Sequence, residues 1–203
     1  MTAPRRPRAP LAVSALLAVL ALVAACASTQ PTQGPTQGPT QGAVTVADYS
    51  SGLWPDRPRV GLSFDVAPDL TSATGTESVT FTPDTPTCEL NFRAWPNNPT
   101  MHQAGDALTI TSASVEGKPT TPQVTAAGAP AGAPGTLITI PLHDCLAAGQ
   151  TTHTQLGFQL TLGANADERV GYSPTTQTAW FGSGFPLLSW IRGSGWPATP
   201  PSR

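Results

Sequence analysis

Short runs with an apolar residue at every second position recur along this chain from Val44 onward, and only β-strands put such runs to use. Val60, Leu62, Phe64 and Val66 alternate with Gly61, Ser63 and Asp65, and Val79 and Phe81 extend the pattern after Gly75. A period of two places one apolar face inward and one polar face outward, whereas a helix needs spacings of three and four. Leu90, Phe92 and Ala94 repeat the pattern with Glu89, Asn91 and Arg93 on the opposite side, and Pro96-Asn97-Asn98-Pro99 supplies a stop. Leu108 with Ile110, then Ile138, Ile140 and Leu142, then Leu156, Phe158, Leu160 and Leu162 predict three more strands. No segment has the pattern of an amphipathic helix. Short strands punctuated by 23 prolines and 19 glycines predict an all-β protein of about seven or eight strands, folded as a two-sheet antiparallel sandwich. The stretch from Pro119 to Pro134, poor in apolar bulk, is expected to be a long surface loop with a mobile tip.

The sandwich is preceded by export signals. Residues 1–25 carry Arg5, Arg6 and Arg8, an apolar run from Leu11 to Ala25 broken only by Ser14, and small residues leading to Cys26. That run is shorter than the roughly 20 residues a membrane span requires, so it predicts a cleaved secretory signal peptide. A cysteine straight after such a run is the acceptor for diacylglycerol in a bacterial lipoprotein, so Cys26 is the expected lipidation site, with palmitate among the acyl chains. The expected location is the extracytoplasmic face of the cell membrane. Residues 26–45 hold three copies of Pro-Thr-Gln-Gly and read as a tether, without the apolar surface needed to offset the entropy of ordering. Residues 46–196 form the expected sandwich domain, and 197–203 an irregular tail.

Charge limits the partners. The 178 residues after the signal peptide keep 7 basic and 12 acidic side chains, with Lys118 the only lysine. An acidic surface without a basic stripe excludes nucleic acid as a natural partner, and an anionic membrane surface would be held through the lipid alone. Cys88 and Cys145 remain after Cys26. In an oxidising compartment such a pair is expected to be a disulfide, closing a loop of about 58 residues; two buried thiols are the alternative.

Residues able to carry chemistry are sparse. His102, His143 and His153 are dispersed, with no His-Glu-x-x-His spacing and no nearby cluster of cysteines or carboxylates, so ordinary strand or loop histidines are expected and no metal. His143 adjoins Asp144 and a local hydrogen bond between them is open, but neighbours on a strand point to opposite faces, which favours a plain surface reading. Gly182-Ser183-Gly184 and Gly193-Ser194-Gly195 lack the Gly-x-Ser-x-Gly spacing of a nucleophile elbow and read as turns. Arg93 is expected to act structurally, with an acid on the next strand or with Trp95.

Four phrases point to a family. Arg59 to Phe81 (RVGLSFDVAPDLTSATGTESVTF), Leu90 to Pro99 (LNFRAWPNNP), Gly135 to Thr151 (GTLITIPLHDCLAAGQT) and Gly171 to Trp190 (GYSPTTQTAWFGSGFPLLSW) resemble the amino-terminal β-domain of M1-family zinc aminopeptidases, in particular an actinobacterial lipoprotein branch. The resemblance covers roughly 46–196. It implies a β-sandwich that walls the peptide-substrate cleft of a full-length enzyme, and a catalytic zinc domain following the point where this chain stops. The family's His-Glu-x-x-His and Gly-x-Met-Glu-Asn segments are absent, so no catalytic residue is carried over, no activity is expected from this chain alone, and zinc is expected only in the catalytic domain. In the resembled family the aromatic phrase lies near the passage to the catalytic domain. Trp180, Phe181, Phe185, Leu187, Leu188 and Trp190 are therefore candidate interface residues for a catalytic M1 domain or a peptide; completion of the sandwich core is the alternative. A reading from another class is a stand-alone surface lipoprotein that acts in binding or adhesion.

Overall fold

The alternating runs become strands. The computed structural model describes residues 55–164 and 168–197; the signal peptide, the Pro-Thr-Gln-Gly linker, Cys26 and most of the tail lie outside them. The described elements are β1 (Arg59–Val66), β2 (Ser72–Phe81), β3 (Thr87–Arg93), a 3-10 turn (Trp95–Asn97), α1 (Pro99–Ala104), β4 (Ala107–Val115), β5 (Lys118–Pro119), β6 (Gln123–Thr125), β7 (Leu137–Leu146), β8 (Thr152–Thr161), β9 (Val170–Ser173), β10 (Thr178–Phe181) and β11 (Leu187–Leu188). One sheet runs β1-β2-β8-β4-β5, a second runs β11-β3-β7-β6, and β9 with β10 forms a hairpin. Every ladder between these strands is antiparallel. The inward residues of both sheets, among them Phe81, Leu156, Phe158 and Leu160 from one and Leu90, Phe92, Ile138 and Ile140 from the other, join a single buried cluster. This is the expected all-β sandwich.

Register explains one glycine. Gly75 on β2 lies opposite Phe158 on β8, and a Cβ added there would overlap the Phe158 ring. Glycine weakens a strand interior, so its presence marks a close approach. Gly75→Ala is expected to destabilise the domain by about 1–3 kcal/mol through overpacking. Urea denaturation would show this as a lower midpoint at unchanged slope; an unchanged midpoint would mean that the ring has room to move.

Several expectations need correction. The stretch from Pro119 to Pro134 is not a plain loop: Pro119 belongs to β5, which pairs with β4, and Gln123–Thr125 pairs with β7. Its apolar poverty reflects edge strands whose residues are exposed on both faces. β1 keeps its alternation but not the burial expected of it. Val60 and Leu62 are 45% and 41% exposed, because β1 is at the margin of its sheet, with no strand beyond it among the described residues. The face of β3 expected to be polar and outward is also covered at Asn91 and Arg93, both 7% exposed. Ser189 donates its backbone N–H and its hydroxyl to the Asn91 carbonyl, and Arg93 donates from Nη2 to the Pro197 carbonyl.

The turn after β3 holds a short helix that apolar periodicity cannot reveal, since six residues make fewer than two turns. Its signals are local. The Asn98 side chain accepts from the Met101 N–H, Pro99 starts the helix, and Gly105 closes it with a φ of 100°. Beside it, Asn97 is 1% exposed and acts as a bracket: it accepts from the Leu108 N–H and donates to the carbonyls of Leu108 and Gly135. These bonds tie the 3-10 turn to β4 and to the segment leading into β7.

Candidate functional site

The aromatic segment is folded back onto the sandwich. β10 pairs with β9, and β11 pairs with β3 at Arg93 and Phe92. Phe181 stacks on Phe64 of β1 at 5.2 Å. Trp190 and Trp196 meet at 4.6 Å, and both pack against Phe81 at 5.3 and 5.8 Å. Each of three indole N–H groups has a protein acceptor: Trp180 donates to the Glu168 carbonyl, Trp190 to Asp84 Oδ1, and Trp196 to Thr87 Oγ1. Asp84 also accepts from the Gly193 N–H, and these two bonds hold its carboxyl below the usual carboxylate range.

Trp180, Phe181, Phe185, Leu187, Leu188 and Trp190 are all half-buried; hydrogen bonds hold the indoles of Trp180 and Trp190, and ring contacts hold Phe181 and Trp190. All but Leu187 pack against the central cluster. The strongly exposed large apolar residue in the segment is Ile191, at 50%. The segment forms a ridge of half-buried aromatic and aliphatic side chains on the sandwich. The anchors Asp84 and Thr87 were not identified from the sequence, because they lie more than one hundred residues from the indoles they hold.

Cys88 and Cys145 form a disulfide across neighbouring strands, with Cα atoms 4.1 Å apart. It sits where the β3–β7 register breaks. Between the pairs Thr87–Leu146 and Glu89–Pro141, β3 advances two residues and β7 five, so β7 bulges outward through Leu142, His143 and Asp144. His143 and Asp144 are surface residues as expected, but the bulge removes the strand alternation that would point them apart. There His143 Nδ1 meets Asp144 Oδ2 at 3.0 Å with both side chains almost fully exposed.

The other histidines stand elsewhere, His102 on α1 and His153 on β8, where Nδ1 lies 3.2 Å from Thr80 Oγ1. Three separated imidazoles do not fit the zinc of the resembled family, and among the described residues no three His, Cys, Asp or Glu side chains gather to hold a metal. Both Gly-Ser-Gly segments lie in turns. The Trp95 ring carries the Arg169 guanidinium at 5.3 Å.

Glu77 is a feature the strand pattern already contains. It occupies the inward phase of β2 between Gly75 and Val79, opposite Leu62 and Leu156, and is 1% exposed. Neither carboxyl oxygen has a hydrogen-bond partner among the described residues, nor has the buried hydroxyl of Thr154, one diagonal step away on β8. Burial alone pushes the Glu77 carboxyl up to about 8. Asp106, fully buried, accepts from the Gly163 N–H at one oxygen only, and burial raises it to about 6.

No family model matches the chain, and no curated protein is significantly similar to it. Among solved structures, it is similar to an M1 zinc metallopeptidase mutant from Deinococcus radiodurans bound to a Tyr-Ser-Ala substrate, at 12% identity and a TM-score of 0.45, over 64% of this chain and 28% of that one. A two-domain M1 zinc metallopeptidase mutant bound to L-arginine gives 14% identity and a TM-score of 0.45, over 70% of this chain and 29% of the other. A CBM3a-L domain from the cellulosome scaffoldin cipA of Clostridium thermocellum gives 13% identity and a TM-score of 0.32, over 71% and 97%. The chain spans less than a third of the length of these metallopeptidases.

Proposed function

We propose that this chain is a lipid-anchored, exported β-sandwich that serves as the amino-terminal domain of an M1-type metallopeptidase. In this reading it has no catalytic site of its own and walls a peptide-substrate cleft completed by a catalytic zinc domain. The observation that carries the reading is where the four resembling phrases fall. They are β1 with β2, the end of β3 with its turn, β7, and the β9-to-β11 segment, which together supply strands to both sheets and the aromatic ridge. The ridge, held rigid by Asp84 and Thr87, is the surface offered to the catalytic domain.

The lipid anchor is tested by fractionation. Wild-type protein should label with palmitate and sediment with membranes, and Cys26→Ser should move most of it to the soluble exported fraction without label. A variant that stays membrane-bound would contradict the anchor. The second reading, a stand-alone binding lipoprotein, draws on the closed core, in which 16 buried apolar residues form one cluster. The two readings differ in the native membrane protein: association with a catalytic domain, in the same chain or in a partner, supports the first, and a band near 178 residues plus lipid without such a partner supports the second.

A further inference from the structure

We propose that β1 is a self-complementary docking edge through which two copies of this chain pair antiparallel into one continuous sheet. A free edge strand offers a row of backbone donors and acceptors to any extended partner, and native proteins usually shorten it or break it with Lys, Pro or a bulge. The other sheet margins follow that rule. β5 is two residues long and consists of Lys118 and Pro119, β11 has two residues and β6 three. β1 does not. It runs eight residues, pairs with β2 in unbroken register, contains neither Lys nor Pro, and leaves Val60 and Leu62 exposed.

The occupant follows from the sequence of the strand. With Leu62 opposite Leu62 of a second copy, antiparallel pairing sets Arg59 opposite Asp65 of that copy and Asp65 opposite its Arg59. The same register sets Val60 opposite Phe64. Both charges of β1 are matched on one face, and Val60, Leu62 and Phe64 on the other, as a two-fold symmetric contact requires. Pairing would cover part of the exposed side chains of Val60 and Leu62.

Cross-linking of the full-length protein in its membranes tests this, with Leu62→Cys and Ser63→Cys compared after mild oxidation on non-reducing gels. The introduced thiols of Leu62→Cys lie face to face on the two-fold and should give a strong dimer band. Those of Ser63→Cys lie opposite Gly61 and should give little. The charge pairs are tested with lipid-free Cys26→Ser protein by sedimentation across a concentration series. Arg59→Asp should weaken the dimer roughly tenfold, Asp65→Arg should do likewise, and the double exchange should restore it. These residues are exposed, so the variants should keep the wild-type unfolding temperature, which checks the fold. A monomer throughout the series, equal cross-linking at both positions, or no rescue by the double exchange would overturn the proposal.

Discussion

Raising the pH from about 4.5 to about 8 is expected to destabilise this domain, and Glu77→Gln is expected to remove most of that dependence. The sign follows from where the proton sits. Glu77 titrates near 4.5 in the unfolded chain and near 8 when folded, so between those values the native state holds a proton that the unfolded state has released. Stability then falls as pH rises, by up to about 1.4 kcal/mol per unit while the two states differ by a full proton. The contribution is fully present below the unfolded value and is lost through the folded one. Asp106 acts in the same direction, from 3.8 to about 6.

The carboxyls of Asp69, Asp84 and Glu116 are lowered by hydrogen bonds and act in the opposite sense, but only at and below the ordinary carboxylate range. Thermal unfolding across this pH range, for wild type and Glu77→Gln, checks the expectation. Wild type should lose several degrees or more towards pH 8, and the variant should be nearly flat above the titration of Asp106. Glu77→Leu, which removes an unsatisfied buried carboxyl, should be more stable than wild type at the alkaline end. Parallel curves for all three would mean that Glu77 gains a partner or water in solution.

Loss of the Cys88–Cys145 disulfide is the second large effect. The bond links residues 57 apart in sequence, and on the chain-entropy account its loss frees a loop that costs the unfolded state about 4 kcal/mol to close. For a domain of this size that is roughly 10–15 °C of unfolding temperature. Both sulfur-bearing residues are exposed, so reductant reaches the folded protein. Dithiothreitol and the Cys88→Ala/Cys145→Ala double variant should give the same lowered temperature, and dithiothreitol should leave the double variant unchanged. A double variant as stable as oxidised wild type would show that β3 and β7 are held by their ladder and core contacts alone. The same variant frees the β7 bulge, so hydrogen exchange should rise first around His143.

Much of this architecture was legible because period-two alternation is a backbone property, and Leu90, Phe92, Ile138, Ile140, Phe158 and Leu160 lie buried as their phase requires. What the phase cannot state is what covers each face. β1 and β3 carry equally clear patterns, yet β1 is left open at Val60 and Leu62 while the outward side of β3 is roofed by the carboxyl-terminal segment. The bulge at His143 and Asp144 was hidden because three extra residues leave no mark on composition. α1 could be read only from Asn98, Pro99 and Gly105, which are the same residues that spell a turn. Glu77 was not identified from the sequence, because a lone Glu in an alternating run reads as solvated until both neighbouring strands are in place. The aromatic ridge stayed ambiguous because burial in a core and burial against a neighbour use the same residues, and its fixed orientation depends on Asp84 and Thr87, far away in sequence.

The most direct test of the proposed role is an aminopeptidase assay on the complex recovered from native membranes with an antibody to the sandwich domain. Hydrolysis of an amino-terminal residue from a peptide substrate is expected, abolished by a zinc chelator and restored by zinc, in material that contains the domain. Efficient recovery of the domain with no chelator-sensitive peptidase activity would contradict it and leave a stand-alone binding lipoprotein.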